Sequence, residues 1–222
     1  MKTVKINLFT IDELSKEAQD NVIEEERWNV HASCMECYDT DYQHTLHKFE
    51  KATHTFIEEY DVDYNRCEEY HDFRFEDCIE KPFEIRGKYL RRWINNFISS
   101  NVKGKYYSKG TKSRRSRIIP ESIEGGWCPF TGCVYDAAIL DPIVDIYTGK
   151  KKVSEEYSLS DLMDDCYHSF FVAWKKETEY WADDRDAILD ELHNNQYEDR
   201  LYYSDGTLCS DSSRYRYMKE SL

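Results

Sequence analysis

The sequence predicts an α+β fold: a single domain of about four helices packed on a small mixed or antiparallel sheet. Three observations carry this. Apolar residues recur at helical spacing over positions 90–98 and 160–180. They alternate with polar residues over 3–9 and again within 196–208. A chain of 222 residues, 40% of them hydrophobic and without an internal repeat, has enough apolar surface for one substantial core.

Each element follows from its own pattern. TVKINLF (3–9) alternates β-branched and polar side chains and reads as the first strand. In DELSKEAQDNVIEEERW, Leu14, Ala18, Val22 and Ile23 share one helical face and acidic residues cover the other, with Asp12 or Ser15 as the cap. Leu46, Phe49, Thr53, Phe56 and Ile57 predict a second helix over 42–60. The Tyr- and Phe-rich stretch 62–79 alternates weakly and predicts a hairpin. After Pro82, the stripe Leu90, Trp93, Ile94, Phe97 and Ile98 predicts a third helix, with Lys88, Arg91, Arg92, Asn95 and Asn96 opposite.

Residues 101–117 read as a basic loop bearing Gly and Ser. Ser160 is the expected cap of a long helix, with Asp161, Asp164 and Asp165 in the turns where the macrodipole favours negative charge. Met163, Cys166, Phe170, Ala173, Trp174 and Trp181 fall on its buried side. Asp183 or Asp184 opens a short helix carrying Ala187, Ile188 and Leu192. Residues 196–208 read as a strand, a Ser-Asp-Gly turn and a returning strand. From about 210 the chain is polar and reads as a frayed tail.

The charge is uneven. Net charge is −14, yet 85–120 holds 11 basic residues and no acidic one, leaving 19 basic against 44 acidic residues elsewhere, a net of −25. Such a body repels bare nucleic acid over most of its surface. Eighteen Tyr add contact area with polar tips, a composition suited to recognising a partner. The start carries no secretory pattern and no stretch approaches a membrane span, so the expected location is a cytoplasm where the eight Cys are reduced thiols.

The stretch GGWCPFTGCVYDAAILDP (125–142) sets three readings against one another: half a metal site, a redox pair, or a tight corner. Zinc needs four ligands, and Cys34, Cys37, Cys128 and Cys133 supply them by count. The segment HASCMECYD lacks the Gly or Pro of a zinc knuckle, and Glu36 and Asp39 carry the wrong sign to activate a thiol. The corner is therefore expected. Pro129 and Gly132 set the turn, while Cys128, Phe130, Cys133, Val134, Ile139 and Leu140 supply core. No metal and no cofactor are expected. Acidic pairs such as Asp164-Asp165 and Asp183-Asp184 read as solvated helix faces, and no Walker loop, G-x-G-x-x-G, H-E-x-x-H or G-x-S-x-G motif occurs.

INLFTIDELSKEAQDNVIEEER, CPFTGCVYDAAILDPI, DLMDDCYHSFFVAWKKETEYWADDRDAILDEL and NNQYEDRLYYSDGTL resemble successive blocks of a family of uncharacterised proteins carried by bacteriophages and prophages. The resemblance covers nearly the whole chain and implies one folding unit, 1–222. Some members carry an antitoxin-like label. The family turn often has another residue where Cys133 stands, and acidic residues where Ala137 and Ala138 stand.

The expected function is a non-enzymatic phage accessory protein, cytoplasmic in the host cell, that binds and inhibits a host factor as an anti-defence inhibitor. The expected contact surface is acidic and aromatic: Glu58, Glu59, Tyr60, Tyr64, Glu68, Glu69, Tyr70, Tyr202, Tyr203 and Asp205. Its partner would be a host protein with a basic site. The alternative is an antitoxin or nucleic-acid-binding regulator acting through 85–120, with Lys103, Lys105, Tyr106, Tyr107, Lys109, Lys112, Arg114, Arg115 and Arg117 as contacts. A second alternative is a metal-dependent enzyme.

Overall fold

The computed structural model describes residues 6–62, 69–103, 105–107, 116–118, 128–133, 135–194, 197 and 199–210, with the backbone alone at 105–107 and 116–118. The fold is α+β. Among the described residues, five α-helices run in the order α1 (Lys16–Thr53), α2 (Gly87–Asn101), α3 (Asp136–Thr148), α4 (Leu159–Asp183) and α5 (Arg185–Leu192). Strands β1 (Thr55–Asp61) and β2 (Tyr70–Phe75) form one antiparallel pair, and β3 (Lys105–Tyr107) and β4 (Ser116–Ile118) another. Among the described residues no helix is long and apolar enough to cross a membrane.

The chain divides into two compact units: one from Met1–Glu36 with Glu177–Leu222, the other Cys37–Lys176. In the first, Leu14, Ala18, Val22 and Val30 of the N-terminal segment pack with Ile188, Leu192, Tyr197 and Tyr202. Arg27 spans this unit, donating to the Ala182 carbonyl and pairing with Asp183 at 2.6 Å. Glu26 is buried and accepts a hydrogen bond from Arg200, which keeps a charge satisfied inside the core. The expected first strand reduces to an isolated bridge from Phe9 to Tyr202, since residues 6–8 take no ladder and Thr3 to Lys5 lie outside the described residues. The expected strand pair over 196–208 is likewise reduced to a bridge between Tyr202 and Leu208. Gln196 and the expected tail from 211 onward are not among the described residues.

Gly206 closes that turn at φ +94, and a Cβ there would lie 2.4 Å from the Ala18 carbonyl oxygen. Both the left-handed backbone and the close approach exclude a side chain. We expect Gly206→Ala to destabilise this unit by at least about 2 kcal/mol, read from chemical denaturation. A loss below about 0.5 kcal/mol would show that the turn relaxes freely.

The two helices expected over 12–28 and 42–60 are one continuous helix, α1. Its first turn is capped by Ser15, whose Oγ accepts the Ala18 N–H; Asp12 instead meets His193 at 2.9 Å. Buried residues recur on both sides of a polar stretch that looked like a break, with Ala18, Val22 and Val30 before it and Tyr42, Leu46 and Phe49 after it. α1 stops at His54, whose φ of 56° is left-handed, and the chain enters β1. The hairpin therefore begins seven residues earlier than 62, and Phe56, Ile57 and Tyr60 are strand residues.

In the second unit, α2 buries Leu90, Ile94, Phe97 and Ile98 as expected, with Trp93 stacked on Phe97. α4 buries Leu162, Met163, Cys166, Tyr167, Phe170, Phe171 and Trp174. Its cap is Ser158 rather than Ser160. Ser158 Oγ accepts the Asp161 N–H, and the Asp161 carboxylate accepts the Ser158 N–H at 2.7 Å, a reciprocal capping box. α5 opens on Asp184, which accepts from the Asp186 and Ala187 N–H groups. The apolar piece after the Cys turn forms a helix, α3, despite Pro142 within it.

Candidate protein-binding surface

The acidic surface is built on the β1–β2 hairpin. The register sets Thr55 against Phe75, Phe56 against Arg74, Glu59 against Asp72, Tyr60 against His71 and Asp61 against Tyr70, with an irregularity between Ile57 and Glu59. Side chains on opposite residues of an antiparallel pair share a face. The inner face places Tyr60, His71 and Phe73 against α4. Tyr60 stacks on Phe171 with ring centroids 5.0 Å apart, and Phe73 lies 5.1 Å from Tyr167. Beneath them, Thr53, Thr55 and Tyr167 join their hydroxyls, at 2.7 Å between the two threonines and 2.5 Å from Thr55 to Tyr167. Burial pushes the Tyr167 phenol well above its ordinary range, so it stays a neutral hydrogen-bonding group.

The outer face carries Phe56, Glu58, Glu59, Asp61, Tyr70, Asp72 and Arg74. Phe56 is 50% exposed and Tyr70 46% exposed, both large for apolar rings on a small sheet. Arg74 is the one cation of this set. It pairs with Glu58 at 2.8 Å and lies 5.3 Å over the Phe56 ring. Glu59 and Asp72 stand directly opposite each other, both exposed, with no cationic partner among the described residues. Like charges placed directly across a strand pair destabilise it.

The structure thus brings Glu58, Glu59 and Tyr70 together and adds Phe56, Asp61, Asp72 and Arg74, which the sequence reading missed. The signal was the alternation in TFIEEYD, masked because Phe56 and Ile57 also continue the helical spacing of α1. Tyr60 does not belong to the exposed set: it is half-buried and accepts a hydrogen bond from Gln43 at 2.6 Å. Glu69 is turned to His168, at 2.8 Å. Beside it His71 meets Asp164 at 3.2 Å, so two histidine–carboxylate pairs edge the inner face. Tyr64 and Glu68 lie outside the described residues. Tyr202, Tyr203 and Asp205 belong to the other unit, where Tyr202 is buried and Asp205 is held by the Thr207 N–H, which lowers its pKa.

Of the basic contacts, Lys103 is exposed after α2. Lys105, Tyr106 and Tyr107 form β3 and Arg117 lies in β4, so the expected loop contains a strand pair, with Tyr106 opposite Arg117. Lys109, Lys112, Arg114 and Arg115 lie outside the described residues.

The Cys turn is organised by a residue that the sequence reading passed over. Asp136 is fully buried at the start of α3. Its carboxylate accepts the Phe130 N–H at 2.7 Å, the Thr131 N–H at 2.9 Å, the Gly132 N–H at 3.4 Å and the Thr131 hydroxyl. Lys48 donates to the Phe130 carbonyl and lies 4.6 Å over its ring. Phe130, Ile139 and Leu140 are core, as expected, whereas Cys128 and Cys133 are only half-buried and Val134 lies outside the described residues. Burial and the Asp136 charge raise the Cys128 thiol; burial and Asp41, 3.6 Å away, raise Cys133. Thiols held up in this way make poor nucleophiles at neutral pH.

No family model, curated protein or solved structure matches the chain.

Proposed function

We propose that the protein is a non-catalytic binding protein that seats the outer face of the β1–β2 hairpin on a basic site of a host protein and blocks it, as a phage-encoded inhibitor of host defence. The carrying observation is the Glu59–Asp72 pair, a repulsive arrangement kept at the centre of an exposed face. A fold that bears such a cost gains from it when a cationic partner neutralises the pair. Phe56 and Tyr70 on the same face supply the apolar contact that charge alone lacks. The charges steer association, which rises in rate at low salt and falls as salt screens them.

The test is affinity capture from host lysate with wild-type protein and with the double variant Glu59→Lys/Asp72→Lys as bait. Wild type is expected to enrich a basic protein in a salt-sensitive manner, and the variant to lose it. The double variant keeps a like-charged pair across the strands, so its hairpin is expected to unfold within about 0.5 kcal/mol of wild type and loss of capture is not loss of folding, whereas Asp72→Lys alone makes the pair attractive and is expected to stabilise the hairpin by about 0.5 kcal/mol. Capture that survives the charge reversal would reject this surface.

A second reading is supported by the basic segment, where the backbone register sets position Tyr106 opposite position Arg117. There the protein would be an antitoxin or a nucleic-acid-binding regulator. Capture abolished by Arg114→Ala/Arg115→Ala/Arg117→Ala, but unaffected by Glu59→Lys/Asp72→Lys, would move recognition to that segment.

A further inference from the structure

We propose that His54, Glu76 and Cys78 form a binding site for a zinc-class divalent cation at the open end of the β1–β2 hairpin, where α1 gives way to β1. Among the described residues they are the one set of three His, Cys, Asp or Glu side chains whose ligand atoms all lie within 4.8 Å of one another. His54 Nδ1 is 3.0 Å from Glu76 Oε2, and Cys78 Sγ is 3.7 Å from the same oxygen. Tetrahedral zinc with bonds of about 2.0–2.3 Å places its ligands roughly 3.3–3.8 Å apart. The group therefore needs only side-chain adjustment to close on an ion.

The backbone already holds the three residues in place. Thr55 pairs with Phe75 at the last rung of the hairpin, and the Glu76 N–H donates to the His54 carbonyl at 2.8 Å just beyond it. The Ile79 N–H donates to the Glu76 carbonyl at 3.0 Å, closing the turn that carries Cys78. None of the donors depends on a segment outside the described residues.

The identity of residue 54 is the second, independent observation. Its φ of 56° lies in the left-handed region, where glycine or asparagine sits at lower cost than a histidine. Ending α1 needs the backbone turn but not an imidazole. The turn carries the His54 ring to Glu76 and Cys78. Imidazole, carboxylate and thiolate together suit zinc and disfavour magnesium or calcium, which take oxygen ligands. Three protein ligands leave one position for water or an external donor. Glu76 also borders an open cleft of about 550 Å³ in which Phe73, Phe75 and Phe83 stand beside Arg74 and Asp77, so an external donor has space beside the ion.

The site differs from the cysteine set that the sequence offered by count. Cys34 lies in one unit and Cys37, Cys128 and Cys133 in the other, and none of the four joins a cluster of donors among the described residues.

The experiment titrates metal-free, full-length protein with Zn²⁺ against a chromophoric chelator, and with Co²⁺ for its spectrum. Wild type is expected to bind one equivalent and to show a thiolate-to-cobalt charge-transfer band. Cys78→Ser is expected to remove that band and to weaken zinc binding at least tenfold. His54→Gly removes a ligand while relieving the backbone, so it is expected to fold as stably as metal-free wild type and to bind at least tenfold more weakly. Wild type that fails to compete with the chelator would overturn the proposal. So would zinc affinity unchanged in Cys78→Ser, or lost instead in Cys34→Ser/Cys37→Ser.

Discussion

Asp136→Ala is expected to lower the unfolding free energy by about 3–5 kcal/mol. The carboxylate is fully buried and accepts three backbone N–H groups and one hydroxyl from the Phe130–Thr131–Gly132 turn. Hydrogen bonds to a charged acceptor contribute more than neutral ones, and each buried N–H left bare costs about 1–3 kcal/mol. The loss also frees the start of α3, because Asp136 is its first residue and the turn is its anchor. Asp136→Asn retains shape and one acceptor oxygen, so about half the loss is expected. Urea denaturation followed by tryptophan fluorescence reads both. If Asp136→Ala unfolds within about 0.5 kcal/mol of wild type, the turn is held by its own backbone and the carboxylate is incidental.

Phe170→Ala is the second large effect, about 3–5 kcal/mol, against about 1–1.5 kcal/mol for Phe170→Leu. Phe170 is fully buried at the centre of an aromatic cluster. Its ring lies 5.4 Å from Tyr42, 5.5 Å from Phe171 and 6.0 Å from Trp174, each at a steep angle. Tyr42 in turn stacks on Tyr135 at 3.7 Å and on Trp174 at 4.7 Å. Removing the ring opens a cavity that these stacked neighbours cannot fill without giving up their own geometry. Because the hairpin rests on Phe171 through Tyr60, amide exchange in β1 and β2 is expected to quicken in the alanine variant. Exchange in the hairpin unchanged from wild type would show that it is anchored elsewhere.

The candidate surface was half legible. Glu58, Glu59 and Tyr70 were found from composition, because dense acid beside Tyr is visible without coordinates. Which neighbours join them was hidden. Residues 55–61 satisfy a helical spacing and a strand alternation at once, and a short segment with two periods is assigned by what it packs on. Phe56 and Asp72 became part of the face only when the register was set. Tyr60 left it for the same reason, one position along the alternation turning its ring onto α4. His54, Glu76 and Cys78 carry no spacing signal at all. They are separated by 22 and 24 positions and meet only because the hairpin returns the chain to its start.

By itself the sequence determined the α+β class, the buried stripes of α2 and α4, the position of α5 and its cap to one of two adjacent aspartates, and the division into an acidic body and a basic segment. These are local properties: a 3.6-residue period, a capping side chain beside its own helix, a count of charges. Only the tertiary structure decided that α1 is one helix rather than two. Its polar middle lacks a stripe of its own, yet buried residues stand on both sides of it, at Val30 and at Phe49, and continuing the backbone ladder costs less than breaking it and nucleating a second helix. Tertiary structure also decided that the described end of the first strand makes a single bridge at Phe9, that Asp136 organises the Cys turn, and that two like charges face each other across the hairpin. Each of these depends on which distant segment arrives opposite a residue, and no window of sequence contains both partners.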